Sequence, residues 1–350
     1  MNAGTLFGYM PDGTAVTRHH LAAPGGLEAD ILTYGGILAA LRVPDRAGRM
    51  ADVVLGFDTL EEYRAAKTYF GAIVGRHAGL IGRGIFEIDG REYRLVCNEG
   101  PHHLHGGVRG FDKVVWRAEP YAGEFGPAVR LTHRSSAGDE GYPGALDVTV
   151  VYTVTTSGEF RIDYQAVTDA PTVVNLTHHS YFNLAGHGNG DILDHELSIA
   201  AETFTPIDAA MLPVGVIAPV AGTPLDFRTP RRIGALIDAA DEQIRHGQGY
   251  DHNWVIIGRD GKLRHAALVR EPTTGRTMEV LTTEPGVQFY TGNLMPETLQ
   301  GKGGATYRRR YGLCLEAQHY NDGPNVPAFP SPVLRPGQVY RQTTVYRFPR

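Results

Sequence analysis

The fold is decided by DVTVVYTVTTSGEFRIDYQAV, residues 147–167. In its second half Phe160, Ile162, Tyr164 and Ala166 point one way from an extended chain, while Arg161, Asp163 and Gln165 point the other. Such alternation marks a strand with one face buried and one face wet. Thr156-Ser157-Gly158 separates the two halves, so the stretch predicts a β-hairpin. The same grammar recurs outward from it. IFEI and EYRLV flank Asp89-Gly90, and both turn residues tolerate positive φ. Asp12-Gly13 and Asp260-Gly261 repeat the device, and QVYRQTTVYRF predicts a closing strand. Helical signals are few and short, the best being LEEYRAAK from Leu60 and RRIGALIDAADEQI from Arg231.

The chain has 350 residues, of which 42% are hydrophobic and 20% charged, so it can bury a large core and disorder is excluded. Gly (44) and Pro (22) make up close to a fifth of it, which favours many turns over long helices. Strand signals run from end to end without a repeat, a linker or a change in composition. Many antiparallel strands must bury their apolar faces against a second layer. The expectation is therefore an all-β chain, one large antiparallel β-sandwich domain over residues 1–350. The net charge of −5 offers no footprint for nucleic acid or an anionic membrane. The opening MNAGTLFGYMPDG lacks a basic segment followed by an apolar one, and no stretch approaches about 18 apolar residues. Two cysteines, Cys97 and Cys314, make no disulfide framework. The expected location is the cytoplasm.

Groups capable of chemistry gather in five turn-rich segments: NEGPHHLHGG (98–107), NLTHHSYFNLAG (175–186), GYDHNW (249–254), EPGVQFYTGN (284–293) and CLEAQHYND (314–322). His102, His103 and His105 offer a metal pair, a clamp for a polar ligand, or plain surface histidines. A cupin-type metal site wants a carboxylate about four residues beyond His105, but that position is Arg109. Of His178 and His179, neighbours in extended chain face opposite ways, so at most one enters a site. Glu316 follows the apolar Leu313, Cys314 and Leu315; desolvation there would raise its pKa and make it a better base, unless one of Arg308, Arg309 or Arg310 pairs with it. Tyr181, Phe182, Trp254, Phe289 and Tyr290 read either as core or as a platform for a sugar face. No GxGxxG, Walker or G-x-S-x-G pattern is present, so neither a nucleotide cofactor nor a serine nucleophile has support.

Taken together, VNLTHHSYFNLAG, GYDHNW, PGVQFYTGN, CLEAQHYND and LHGGVRGFDKVVW resemble the aldose 1-epimerase (galactose mutarotase) family. ADVVLGF, YFGAIVGR and PVLRPGQVY add to the match, in the family's order, from about Tyr34 to the end. The resemblance implies a mutarotase-type β-sandwich that interconverts the anomers of a monosaccharide such as glucose or galactose, with no cofactor and no metal. It carries the base to Glu316 and the acid to His179, and substrate binding to His105, Asp251, Gln288 and Arg76. It further implies a monomer or homodimer without nucleic-acid or membrane partners. A sugar-binding protein without turnover and an epimerase for a modified sugar are the alternatives. One departure stands out: where the family reads G-R-x-A-N-R-I, this chain has Gly79 and Leu80 in GRHAGLIGR. Leucine offers no donor, so one strong contact to the sugar is expected to be missing. Arg83, at an odd offset along a strand, is not expected to replace it.

Overall fold

The computed structural model describes residues 4–24, 26–258 and 261–349. The deciding stretch forms strands Leu146–Val154 and Glu159–Thr168, paired antiparallel across the 156–158 turn. Phe160, Ile162, Tyr164 and Ala166 are buried, as the alternation requires. These strands are the heart of a nine-stranded antiparallel sheet. Its order is Arg117–Ala122, Pro127–Ser135, Leu146–Val154, Glu159–Thr168, Tyr340–Arg347, Thr277–Thr282, Arg264–Arg270, Glu196–Ile199 and Arg231–Arg232. The closing strand starts at Tyr340, two residues inside the expected run.

Two five-stranded sheets supply the opposing layer. The first is a meander of Thr5–Tyr9, Ala15–Ala22, Glu28–Leu32, Leu38–Pro44 and Met50–Asp52. The second runs Ala218–Pro219, Thr203–Thr205, Asp251–Val255, Gly286–Tyr290 and Cys314–Gln318. One apolar cluster joins all three: Val129, Leu131, Val148 and Val150 from the large sheet, Leu21, Ile31 and Leu41 from the first small sheet, Trp254, Phe289 and Leu315 from the second. Burying each such side chain contributes roughly 1.5–3 kcal/mol. The chain is thus an all-β antiparallel sandwich.

The turns follow their residues. Asp89 (φ 54°) and Gly90 (φ 77°) close the hairpin of Ile85–Ile88 with Arg91–Arg94. Asp12-Gly13 lies in the loop joining Thr5–Tyr9 to Ala15–Ala22, with Gly13 at φ 84°. The Asp260-Gly261 turn falls on Asp260, outside the described residues. Of the two helices, Leu60–Ala65 forms with Thr59 and Glu62 in a reciprocal capping box. The second expectation is corrected: only Glu242–Gly247 is α-helical, N-capped by Asp241, while Arg231–Arg232 pairs as a strand and Ile233–Ala235 makes one 3₁₀ turn. Tertiary bonds override the helical pattern there, since Ile233 and Gly234 donate their N–H groups to the carbonyls of His195 and Leu193.

Candidate active site

The second small sheet has two unlike faces. Residues directly opposite in register share a face, and register aligns Asn253 with Gln288 and Glu316, and Tyr290 with Asp251 and Cys314. Trp254, Val287, Phe289, Leu315 and Ala317 form the apolar face and enter the core. The other face carries Asp251, Asn253, Gln288, Tyr290, Cys314, Glu316 and Gln318. A polar sheet face of this kind is costly to bury unless its groups find partners.

Two loops bring histidines onto it. Thr177–His178 pairs with Ile73–Val74, and Thr177 Oγ1 donates to Ala317 O (3.0 Å), which ties this loop to the Glu316 strand. His178 turns to Ser180, Tyr152 and Phe160, while His179 turns the opposite way, as the extended geometry requires. His103–Leu104 pairs with Leu80–Ile81. His105 then takes φ 52°, which breaks the alternation that would have set it beside His103. His103 is instead held by Val96 O and Tyr142 Oη, and His102 Nδ1 accepts from Arg83 N. Only His105 of the three reaches His179.

The result is compact. One ligand-type atom from each of His105, His179 and Glu316 lies within 4.8 Å of the others. His179 Nε2 is 3.7 Å from Glu316 Oε1, and both side chains are almost wholly buried. Among the described residues Glu316 makes no arginine pair: Arg310 is engaged by Asp238 and Arg309 by Gln248 O. Its Oε2 has no partner among the described residues. Gln288 Nε2 donates to Asp251 Oδ1 at 2.6 Å, so these two expected binders act together. Tyr181 and Tyr69 lie nearly parallel to the His179 ring, at 5.0 and 5.7 Å, and Tyr290 meets it edge-on. Phe182, Trp254 and Phe289 are core.

Burial sets the charges. It pushes the Glu316 carboxyl well above its ordinary range, and the nearby charge of Asp251 pushes the same way. Asp251 lies deep in the cleft but keeps some exposure; desolvation lifts it to about 7 against the pull of Gln288. Burial lowers His179 to about 4 and holds His105 well below its usual value. A lone imidazolium at His179 is therefore not the resting form: desolvation dominates even with a carboxyl oxygen 3.7 Å away. His105 Nδ1 accepts from Gly79 N–H at 3.0 Å, so a neutral ring carries its proton on Nε2. That nitrogen donates; it does not ligate. Two histidines and a carboxylate at this spacing resemble a metal triad, but one of the three offers a proton instead of a lone pair.

Arg76 requires a correction. Its Nη atoms donate to Pro143 O, Gly144 O, Ser135 O and Oγ, and Ser136 O at 2.6–3.3 Å, and the guanidinium sits over the Tyr142 ring. The residue is 2% exposed and serves the loops at 135–144, not the cleft. Arg83 is exposed in a 3₁₀ turn at φ 56°, so it too stays outside, for a reason other than strand parity. Sequence reasoning missed Tyr69, whose φ of 57° swings it onto both His105 and His179, and the Cys314 Sγ contact to His179 Nδ1 at 3.5 Å.

A family model described as aldose 1-epimerase matches residues 17–347. A galactose mutarotase of Bos taurus is 46% identical, over 98% of this chain and 97% of its own. An aldose 1-epimerase of Escherichia coli is 34% identical over 97% and 96%. Among solved structures, an aldose epimerase homologue from C. elegans superposes with a TM-score of 0.87 at 31% identity, covering 96% of this chain and 99% of its own. With the match spanning nearly its whole length, the chain belongs to the aldose 1-epimerase family of sugar isomerases.

Proposed function

We propose that the cleft interconverts the α and β anomers of free aldohexoses, galactose and glucose foremost, with Glu316 and His179 moving the protons. The observation that carries this is a single buried pair, His179 Nε2 and Glu316 Oε1, 3.7 Å apart. Burial raises the Glu316 carboxyl and lowers His179, and on this reading the pair shares one proton. That proton rests on Glu316 in the sugar-free cleft; moving it to His179 leaves the net charge unchanged and creates a base and an acid together. Glu316 carboxylate then takes the proton of the C1 hydroxyl, His179 gives its proton to the ring oxygen, and the C1–O5 bond breaks. The aldehyde formed turns about C1–C2. O5 re-attacks the other face as the transfers run backward, and the pair ends with the proton it began with. His105, through Nε2–H, and the Asp251–Gln288 couple hold sugar hydroxyls.

Polarimetry of freshly dissolved α-galactose tests this, with protein first dialysed against a strong chelator. The expected result is decay of rotation far faster than in buffer. Binding without faster decay would leave a non-catalytic sugar-binding protein, and activity that returns only with Zn²⁺ or Mn²⁺ would make the triad a metal site.

Asp251 makes a second expectation. Its negative charge helps to hold the proton on Glu316. Asp251→Asn removes that charge, so Glu316 should ionise more readily and the alkaline limb of kcat/KM should move to lower pH. A limb that stays put or moves up would show that the Asp251 charge does not hold the proton on Glu316.

A further inference from the structure

Gly79 stands where no side chain fits. Its φ is +75°, and a Cβ built on it would lie 1.7 Å from Asn321 Oδ1, 2.9 Å from Asn321 Cγ and 3.3 Å from Gln318 Nε2. The Asn321 amide therefore fills the volume that a side chain at position 79 would need. Gly79 is also the residue that fixes His105, giving its N–H to Nδ1 and taking the His105 N–H on its carbonyl at 3.2 Å. On the opposite flank, Gln318 lies two residues beyond Glu316 on the same strand face. Its Nε2 points to Asn321 Oδ1 at 3.4 Å. Asn321 thus bridges the anchor of His105 and the strand of Glu316. The backbone behind it is tied down: Asp322 N donates to Leu80 O at 2.7 Å, and Asp322 Oδ1 accepts from Gly82 N at 2.8 Å.

Among the described residues the Gln318 amide is only half satisfied. Asn321 is 8% exposed, and its Oδ1 is engaged by Gln318, which leaves Nδ2 as the amide's donor. Gln318 is 1% exposed, and its Oε1 has no partner among the described residues. A buried acceptor such as Gln318 Oε1 is costly unless something pairs with it. Neither arginine of the GRHAGLIGR segment takes the position: Arg76 is held at 135–144, Arg83 is exposed, and Leu80 is apolar.

We propose that Asn321, braced by Gln318, is a sugar-contacting, specificity-determining residue. Its Nδ2 donates to a ring hydroxyl on the side of Glu316 away from His179, and Gln318 Oε1 accepts from that hydroxyl or its neighbour. The order along the strand places this contact. Cys314 touches His179 and Glu316 follows, so Gln318 and Asn321 lie one step further from the acid. This rests on the cleft being the site of sugar turnover.

The test compares wild type, Asn321→Ala, and the relocated pair Gly79→Asn/Asn321→Gly on α-galactose and its monodeoxy derivatives. Asparagine tolerates the left-handed backbone at 79 better than other side chains do. In the double variant its amide therefore enters the space vacated at 321. The expected result for Asn321→Ala is a KM raised about tenfold, with a smaller effect on kcat. That penalty disappears for the one deoxy sugar lacking the contacted hydroxyl, and the relocated pair recovers much of the affinity. A penalty equal on every sugar, or none on any, overturns the proposal. Glu316→Gln, run alongside, separates the two failures. If it keeps full kcat, the site itself is misread; if it loses kcat while Asn321→Ala is flat, only the role of Asn321 falls.

Discussion

Glu316→Gln and His179→Asn are each expected to lower kcat by about 10²–10⁴, the usual worth of a positioned acid or base. Both substitutions conserve shape, so the fold should persist. A glutamine in place of Glu316 would fill the same buried strand position between Leu315 and Ala317, and removing a carboxyl that is costly to ionise there gives no reason for unfolding. An asparagine in place of His179 would keep a polar group facing Glu316 but could neither accept nor deliver a proton at neutral pH. Because the two residues share one proton, their losses should not add. The double variant should be little worse than the poorer single one, as groups acting as a unit behave. Stopped-flow polarimetry of all three proteins checks this. Near-wild-type kcat in either single variant removes that residue from the reaction, and fully additive losses remove the shared proton.

Arg76→Met is expected to destabilise the protein by about 3 kcal/mol or more while leaving kcat/KM of the folded fraction within about threefold. The arginine gives its Nη donors to carbonyls of Pro143, Gly144, Ser135 and Ser136 and to Ser135 Oγ, and so ties two loops together. Burial lowers even its own pKa to about 10, against the pull of Tyr142, Asp139 and Asp169, so the cation depends on its partners. Methionine fills the channel but strands them. Arg76→Lys should recover part of the loss at most, because an ammonium cannot reproduce the fork that spans 135–136 and 143–144. Urea denaturation measures the effect. A KM that rises without loss of stability would return Arg76 to the sugar.

What was legible in the sequence was what local rules govern. Phe160 to Ala166 alternate because a two-residue period leaves no freedom about which face is buried. Asp89-Gly90 turns because both residues accept positive φ. The family motifs carried Glu316, His179, His105, Asp251 and Gln288 to one cleft, although His105 and Glu316 are far apart in the chain. What failed needed information from distant residues. The helix expected from Arg231 lost its first half to partners at Leu193 and His195. Arg76 was read as a sugar ligand because its motif lies next to the site, but its side chain leaves in the other direction. The parity argument for Arg83 assumed a regular strand, whereas strand geometry ends at Ile81 and a turn follows. Nothing in Tyr69 or Asn321 alone announces a role. One depends on a left-handed backbone and the other on the emptiness of Gly79.

The central claim, one proton held between His179 and Glu316, is tested most directly by the pH dependence of kcat/KM for α-galactose, corrected for the buffer reaction. Catalysis needs the pair singly protonated. Apart from a step near pH 7 as Asp251 titrates, the expected profile stays high down to about pH 4, where His179 takes a second proton, and falls on the alkaline side as Glu316 releases the only one. A profile that instead collapses below about pH 6.5, the ordinary titration of a solvated histidine, with no alkaline fall would contradict the account.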